Sequence, residues 1–301
     1  MKKDLIPLLD SVQELSVLLI GETITDEYVY VYPMAKSPKE NVIATREDRR
    51  ETYDGGIQVP LKILQQLCKN VDIITQDWEI RKTRFVDHSY MRKLFEVYKM
   101  GTGRPMHQDT LYGLSDYDLV VVFDFGHGFI TPECVDILCK NSRFLAVNTQ
   151  SNSGNMGYNF IHKYPRADFV CIDEPEARLA AVDRDSSMKS VVETLCGING
   201  NGTRRVIDCD RFIVTHGKHG CMVYDDGEFS TVPAITERVI DTVGAGDTFL
   251  SYVAPLVASG TSLSEAAFIG NVAGALKTGI IGHSDFVKKE DVKKWLMQEK
   301  M

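Results

Sequence analysis

The segment DTVGAGDTF, residues 241–249, places two carboxylates, two glycines and an alanine next to each other. The residues after it have apolar side chains at helical spacing, so we predict a helix over 246–259, kinked at Pro255 and ended by Gly260. Free backbone N–H groups and the helix dipole at this N-terminus favour an anion. Asp247 is then placed to take a proton from a hydroxyl that attacks phosphorus.

The same residues also have a plainer interpretation. An acidic side chain in the first turn of a helix is favourable without any catalytic role. The turn fits neither the phosphate-binding pattern G-x-x-x-x-G-K-[ST] nor the dinucleotide pattern G-x-G-x-x-G. The motif by itself therefore leaves two interpretations open, an anion site with a general base and an ordinary helix start.

The segment resembles the C-terminal signature of the PfkB/ribokinase family of sugar and nucleoside kinases, usually D-T-x-G-A-G-D, and the resemblance continues in order along the chain. It implies an ATP-dependent carbohydrate kinase that uses Mg²⁺. Asp247 would be the catalytic base, and the backbone of Gly244, Ala245 and Gly246 would form the anion hole. Asp241 and Thr242 would hold the turn and face the ATP phosphates. The segment 280–286 resembles the loop that completes a monovalent-cation site in many relatives.

On the substrate side, the sequence is most similar to the heptose-phosphate kinase domain of the bifunctional enzyme of ADP-heptose synthesis. The resemblance lies in GETITDEYVYV (21–31), DGGIQV (54–59) and FDFGHG (123–128). It assigns substrate contacts to Asp26, Gly55, Gly56, Asp124, His127 and Asn148. Three positions depart from that pattern and put the exact sugar in doubt: Val59 replaces Asn, His127 replaces Lys and Asn148 replaces Asp.

The resemblance also assigns residues to the nucleotide and the metal. CIDEPEA (171–177) is similar to the segment N-x-x-E, with Asp173 in place of Asn and Glu176 retained, and these residues would help to position Mg²⁺. FIVTHGKHG (212–220) is similar to V-T-x-G-x-x-G. The residues expected beside the nucleotide are Thr215, Gly217, Gly220 and Asn271.

Short apolar runs alternate with segments of helical spacing, which predicts a three-layer α/β/α fold with a mostly parallel sheet. The predicted strands are 16–21, 71–75, 118–124, 144–148, 169–172, 211–215 and 221–225. The predicted helices are 59–70, 131–142, 174–181, 246–259, 262–279 and 288–299. The segment ERVID (237–241) also reads as a strand. We expect one kinase domain over 1–301.

Two segments, 27–53 and 82–99, alternate between apolar and polar residues and carry many charges. Each reads as antiparallel strands with one solvated face. They would form either a small β lid, which could also serve a homodimer, or edge strands of the main sheet. Basic residues in the second segment could reach a phosphate already present on the sugar, or could be solvated lid charges. They are Lys82, Arg84, Arg92 and Lys93, of which Arg84 and Arg92 are the best candidates.

Composition excludes some classes of function. The formal net charge of −8 argues against nucleic acid or an anionic membrane as partner. No apolar run approaches the ~20 residues of a membrane span, and the start of the chain lacks the apolar stretch of a signal peptide. The seven cysteines are scattered without a C-x-x-C pair, which is typical of free thiols in the cytoplasm.

The sequence therefore predicts a kinase that transfers the γ-phosphate of ATP to a sugar or sugar phosphate, such as the anomeric oxygen of a heptose 7-phosphate. The alternatives are a kinase for a nucleoside or another small hydroxylated molecule, and a binding module that has lost the chemistry. A nucleotidyltransferase that activates the product is expected on another chain.

Overall fold

The computed structural model describes residues 3–197, 206–235 and 239–298. These residues form twelve β-strands and eight α-helices. The strands are β1 Ser16–Gly21, β2 Thr23–Lys36, β3 Ile43–Gly56, β4 Asn70–Ile74, β5 Ile80–Asp87, β6 Arg92–Met100, β7 Leu119–Asp124, β8 Leu145–Thr149, β9 Phe169–Asp173, β10 Arg211–Thr215, β11 Cys221–Asp225 and β12 Glu228–Val232. The helices are α1 Ile6–Ser11, α2 Gln58–Leu67, α3 Pro132–Asn141, α4 Glu174–Ala181, α5 Met188–Cys196, α6 Ala245–Ala258, α7 Leu263–Lys277 and α8 Lys289–Met297.

The main sheet has eight strands in the order β12-β11-β10-β9-β8-β7-β1-β4. The pairs from β4 to β10 are parallel, and only β11 and β12 are antiparallel additions at one edge. Strand β7 shows why the sheet is covered on both faces, since every one of its residues is buried. A parallel strand with helices on both sides needs such a continuous apolar sequence.

Helices cover both faces of this sheet. Along β1, Val17 and Leu19 point into one core, which they share with α1, α2, α6, α7 and α8. Leu18 and Ile20 point into the other core, with α3, α4 and α5. The alternation follows from the two-residue period of a strand. The predicted three-layer α/β/α fold is confirmed.

A second sheet of four strands, in the order β3-β2-β5-β6, stands apart from the main sheet. Of the two readings open from the sequence, the separate lid is therefore correct. Each segment forms an antiparallel hairpin as predicted, β2–β3 and β5–β6, and the two hairpins join through a parallel pairing of β2 with β5 that the sequence did not predict. The buried centre of the lid is small and consists of Tyr28, Tyr30 and Val86, with Tyr53 packed against them.

The sequence also missed some elements. It did not predict α1, α5 or β12, which are short or follow segments with little apolar periodicity. The strand expected over 237–241 is absent where it is described: residues 239–241 are irregular, and 237 and 238 lie outside the described residues. Helix α6 continues through Pro255 to Ala258. Within the described ranges, no helix has both the length and the apolar character that crossing a bilayer requires.

Candidate active site

The glycine-rich turn forms the N-terminus of α6, as predicted. Gly244 is the residue before the helix and has a left-handed backbone, with φ of 74°. Asp241 braces the turn, because its carboxylate accepts the Val243 N–H at 3.2 Å and the Gly282 N–H at 3.0 Å. A side chain at Gly246 would point into open space, with nothing within 4 Å of its Cβ. The turn therefore presents open backbone at a helix N-terminus, where an anion is favoured.

Asp247 lies in the first turn of α6 and faces a group of charged side chains. Burial raises the pKa of its carboxyl, and the nearby charges of His283, Lys82 and Lys277 oppose that rise. The carboxyl lacks a hydrogen-bond partner in the part of the chain described here. A carboxylate that is desolvated, unpartnered and raised in pKa is suited to accept a proton from a hydroxyl.

Asp26, on the lid strand β2, lies beside Asp247. Its carboxylate is ion-paired with Arg84 on β5 and is 2.7 Å from Nδ1 of His283. Burial alone would raise the pKa of Asp26, but the bond with His283 and the charge of Arg84 hold it at about 2. Asp26 is therefore ionised at neutral pH, and as a carboxylate it is an acceptor for hydroxyl groups.

The two glycines at the end of β3 are each required by a close approach. A Cβ on Gly55 would lie 2.1 Å from Oδ2 of Asp26 and 3.0 Å from Nδ1 of His283. Gly56 has φ of 58°, and its Cβ would lie 2.2 Å from the Glu22 carbonyl oxygen. Gly55 thus makes room for the buried Asp26 carboxylate, and Gly56 makes room for the backbone at the start of β2.

Sequence reasoning missed His283. Its ring lies between Asp26 and the turn, since a Cβ on Gly244 would be 2.8 Å from Nε2 of His283. The segment 280–286 that contains it was singled out only for a monovalent cation. A lone histidine after a helix carries no recognisable spacing, so the sequence offered no signal for this contact.

Lys82, a basic residue of the lid strand β5, lies near both Asp26 and Asp247. It is 6 % exposed, and its ammonium group lies 5.5 Å from the centre of the Tyr98 ring. Asp26 and Asp247 are close enough to influence its pKa, which burial lowers. Among the described residues it has no ion pair or hydrogen-bond acceptor. Burying an ammonium group unpaired is costly, which indicates that a ligand supplies its partner.

The two predicted arginines are placed differently from Lys82. Arg84 bonds Asp26 and also Glu96, the latter at 3.2 Å, so its guanidinium is already occupied. Arg92 starts β6 and lines a cavity between the lid and the segment 239–242. Lys82 is therefore better placed than either arginine to bind a phosphate on the substrate.

Asp124 is the last residue of β7, His127 follows it, and Asn148 lies near the end of β8. Asp124 is buried and occupied, with Tyr164 Oη at 2.7 Å and Lys163 Nζ at 2.5 Å. Both ring nitrogens of His127 are buried and have no hydrogen-bond partner within the described ranges. Burial, with the nearby charge of Lys82, lowers the pKa of His127 to about 4, so its ring is neutral at pH 7. A neutral His127 ring therefore does not carry the positive charge of the lysine that it replaces in the heptose-phosphate kinase pattern.

Asn148 is turned toward the neighbouring strand. Its side-chain amide donates to the Cys171 carbonyl at 2.8 Å, and its Oδ1 is buried without a partner. The loop that follows is ordered by its asparagines, with Asn152 and Asn155 both donating to the Phe125 carbonyl. Ser153 in this loop hydrogen-bonds the lid residue Tyr98. The loop thus joins the lid to the body of the protein beside Lys82.

The predicted metal residues lie at the end of β9 and the start of α4. Asp173 and Glu176 form a reciprocal cap, in which each carboxylate accepts the backbone N–H of the other residue. Burial and the charge of Asp173 raise the pKa of Glu176 to about 8. Glu176 is buried and Asp173 is exposed at the surface beside it, and such a pair of carboxyl groups near Asp247 could hold a divalent cation partly through water. No cluster of three or more metal-binding side chains occurs in the described ranges.

The predicted nucleotide residues lie along one edge of the main sheet. Thr215 ends β10, and Gly217 and Gly220 form the turn into β11. Gly220 allows close packing, because its Cβ would lie 2.1 Å from the Val232 carbonyl oxygen. Asn271 on α7 donates its amide to the carbonyls of Val232 and Pro233, at 3.2 and 3.0 Å.

Comparison with known proteins agrees with this geometry. The model of the family described as "pfkB family carbohydrate kinase" matches residues 134–289, which include Asp247 and the turn. The curated bifunctional protein HldE of Citrifermentans bemidjiense is 26% identical over 178 residues, 59% of this chain and 35% of that protein. HldE of Nitratiruptor sp. is 22% identical over 301 residues, 88% of this chain and 62% of that protein. The chain thus spans between about a third and three fifths of these two relatives.

Solved structures share the fold at low identity. Ribokinase of Arabidopsis thaliana, complexed with ribose and ATP, superposes with a TM-score of 0.71 at 14% identity, covering 95% of this chain and 100% of that one. Phosphofructokinase-2 of Escherichia coli gives a TM-score of 0.70 at 14% identity, covering 94% and 100%. Ribokinase of Thermotoga maritima gives 0.69 at 16% identity, again covering 94% and 100%. Because the family model matches more than half of the chain, the chain belongs to the pfkB family of carbohydrate kinases.

Proposed function

We propose that this kinase phosphorylates a sugar phosphate similar to heptose 7-phosphate, at its anomeric oxygen. The anomeric hydroxyl gives its proton to the Asp247 carboxylate, and the oxygen forms a bond to the γ-phosphorus of ATP. The bond from that phosphorus to the bridging oxygen breaks, and ADP leaves with the electron pair. The products are ADP and a sugar bisphosphate.

The observation that carries this proposal is the position of Asp247 directly behind an open anion-binding turn. The carboxylate and the backbone N–H groups belong to one helix start, so the base and the phosphoryl site have a fixed relative geometry. Lys82, Lys277 and His283 all lie close enough to influence the Asp247 carboxyl. Such preorganised positive charge stabilises a transferring phosphoryl group.

A phosphate on the substrate is supported by Lys82. Its ammonium is buried and unpartnered among the described residues, and it lies near both carboxylates that would contact the sugar. A sugar phosphate would supply the missing anion. Asp26 would accept sugar hydroxyls, and the neutral ring of His127 would offer one further donor or acceptor.

Mg²⁺, when bound with ATP, would offset the charge of the phosphates and hold the β- and γ-groups together. In this chain Asp173 and Glu176 would hold it, directly or through water. Thr215, Gly217 and Gly220 would lie along the nucleotide, with Asn271 near the base. Asp241 and Thr242 would face its phosphates.

The experiment is to measure ADP release from Mg·ATP over a panel of free sugars, sugar phosphates and nucleosides. We expect turnover on a phosphorylated heptose or a close analogue, and little on the same sugar without its phosphate. Turnover restricted to nucleosides or free sugars would overturn the substrate proposal. Nucleotide binding without turnover on any compound would favour a binding module.

Lys82→Met tests the phosphate contact, with Lys99→Met as a matched control on the exposed surface of the lid. The first change should raise KM for the sugar phosphate by about 100-fold and leave KM for ATP within about twofold, because a buried charge-assisted contact is lost. The control should change neither constant. Equal loss for phosphorylated and free sugars in Lys82→Met would contradict the assignment.

A sugar with a phosphate on its anomeric oxygen is a substrate for nucleotidyl transfer. We therefore infer a nucleotidyltransferase as the consumer of the product. A coupled assay that adds such an enzyme and a nucleoside triphosphate should convert the product to a nucleotide sugar. A product that stays inert in this assay would place the new phosphate on another hydroxyl.

A further inference from the structure

Lys277 is the last residue of α7 and is fully buried, with 0 % of its surface exposed. Its ammonium donates to the Gly282 carbonyl at 2.5 Å. No carboxylate lies within 4 Å of it among the described residues. Helix C-termini favour a cation, but burying an ammonium group without a direct counter-ion is still costly. A substitution that simply filled this space with an apolar side chain would avoid that cost.

The position of Lys277 relates it to the active site. A Cβ on Gly244 would lie 3.5 Å from Cε of Lys277, so the lysine lies directly beneath the turn before α6. Three carboxylates, those of Asp241, Asp247 and Asp26, are close enough to influence its pKa. The ammonium is therefore shared among the acids of the site and is paired with none of them.

The bond to Gly282 connects the lysine to the other side of the site. Gly282 also donates its N–H to Asp241, which braces the turn. The next residue, His283, contacts Asp26. The buried ammonium group of Lys277 thus holds the loop 280–284 against the turn. This ammonium lies on the interior side of the turn, behind the backbone groups that would face a phosphate.

We propose that Lys277 is a positioning residue that serves as a built-in cation beneath the anion-binding turn. It supplies positive potential to the phosphoryl group held at Gly244–Gly246. It also fixes the position of the 280–284 loop relative to the turn. The inference rests on the proposed function, because it takes the terminal phosphate of ATP as the anion at the turn. In a buried site this charge acts at low dielectric, where its effect is large.

The test compares Lys277→Met, which keeps the length of the side chain and removes the charge, with Ile269→Ala, a buried change on the same helix. Lys277→Met should fold with an unfolding temperature no lower than the wild type. Its affinity for ATP should fall at least 10-fold, its affinity for ADP should fall less than threefold, and kcat should drop about 100-fold. Ile269→Ala should lower stability and leave the ATP to ADP affinity ratio unchanged.

Chemical rescue separates the charge from the packing. In Lys277→Ala, ammonium or ethylammonium ions should raise the rate of phosphoryl transfer at least 10-fold. Ethanol, which fills space without charge, should not raise it. The wild-type rate should also stay within twofold when potassium is replaced by tetramethylammonium, because its cation is covalently held. Wild-type activity in Lys277→Met, equal rescue by ethanol, or a wild-type requirement for potassium would each overturn the proposal.

One failure of the proposed function, a wild-type chain that binds no nucleotide, would look different. In that case inorganic tripolyphosphate is the probe: tighter binding by the wild type than by Lys277→Met would support the built-in cation, and equal binding would overturn it.

Discussion

At the scale of single residues, the site depends on how each buried charge is partnered. Asp26 is held ionised by Arg84 and His283, with a pKa of about 2. Asp247 has no such partner in the part of the chain that the structure describes, and burial raises its pKa. Two neighbouring carboxylates thus have different environments, which suits one to bind hydroxyls and the other to accept a proton.

Asp26→Asn should separate these two roles. We expect KM for the sugar to rise at least 10-fold, because the acceptor for hydroxyls loses its charge and His283 and Arg84 lose their anion. The affinity for ATP, measured by calorimetry, should change less than threefold. A variant that binds the sugar normally would show that Asp26 only braces Arg84.

Glu22 gives the clearest pH prediction. It is fully buried and accepts the N–H groups of Phe125 and His127, at 3.1 and 3.0 Å. Burial, with the charge of Asp124, raises its pKa from 4.5 to about 7. The folded protein therefore holds a proton that the unfolded chain releases, so the stabilisation is full below pH 4.5 and is lost as the pH rises through about 7.

Glu22→Gln should remove this pH dependence. The wild type should lose on the order of 3 kcal/mol of unfolding free energy between about pH 4.5 and 7 through this group, and the variant should not. Urea unfolding at several pH values measures the difference. Parallel pH profiles for the two proteins would contradict it.

Single residues also show where sequence reasoning stopped. The motif at 241–249 pointed to Asp247 and the turn because its spacing is specific, and the structure brings the two together. His283 and Lys277 were not assigned to the site, because their contacts arise only when the end of α7 packs beneath a distant turn. The roles of Arg84 and Lys82 likewise depend on which lid face turns inward.

At the scale of elements, the start of α6 depends on glycine. Gly244 has φ of 74°, and its Cβ would press on His283. Gly246, two residues later, does not have a left-handed backbone, and a Cβ there would meet nothing within 4 Å. The two glycines therefore differ in what they would tolerate.

Gly244→Ala should lower the unfolding free energy by about 1–2 kcal/mol, because an L-residue is strained in this conformation and His283 must move. Gly246→Ala is the matched control and should be neutral or stabilising by up to about 1 kcal/mol, as alanine favours a helix. Denaturant unfolding of both variants decides the matter. Equal destabilisation would show that the turn is not held in the left-handed conformation.

Most elements of the core could be predicted from sequence, and the lid less completely. Strands β1, β10 and β11 have the expected bounds, because each is a short and mostly apolar run in the sequence. The alternation in the lid predicted strands but not their partners. Pairing of β2 with β5 joins segments separated by α2 and β4, and local pattern carries no information about such a choice.

At the scale of the whole molecule, the lid and the body differ in how much apolar surface they bury. The body has two large cores, whereas the lid centre has three buried residues with Tyr53 beside them. Side chains of β6 are almost all exposed. A sheet with so small a core is unstable on its own, so the lid depends on its contacts with the site.

Hydrogen exchange should show this difference. We expect amides of β6 to exchange at least 100-fold faster than those of β7, through opening of the lid alone. Addition of ATP together with the sugar phosphate should slow the exchange of the β6 amides and leave the exchange of the β7 amides unchanged. Equal protection of both strands without ligand would mean that the lid and the body open only together.

The central claim is that Asp247 is the general base of phosphoryl transfer. The most direct measurement is the single-turnover rate of wild type and Asp247→Asn, with saturating Mg·ATP and the accepted sugar phosphate, and with ATP affinity measured in parallel. The account predicts that the rate falls about 10³- to 10⁴-fold while the ATP dissociation constant changes less than threefold. A rate within 10-fold of the wild type would show that another group takes the proton, and would leave the acid at position 247 as part of a helix start.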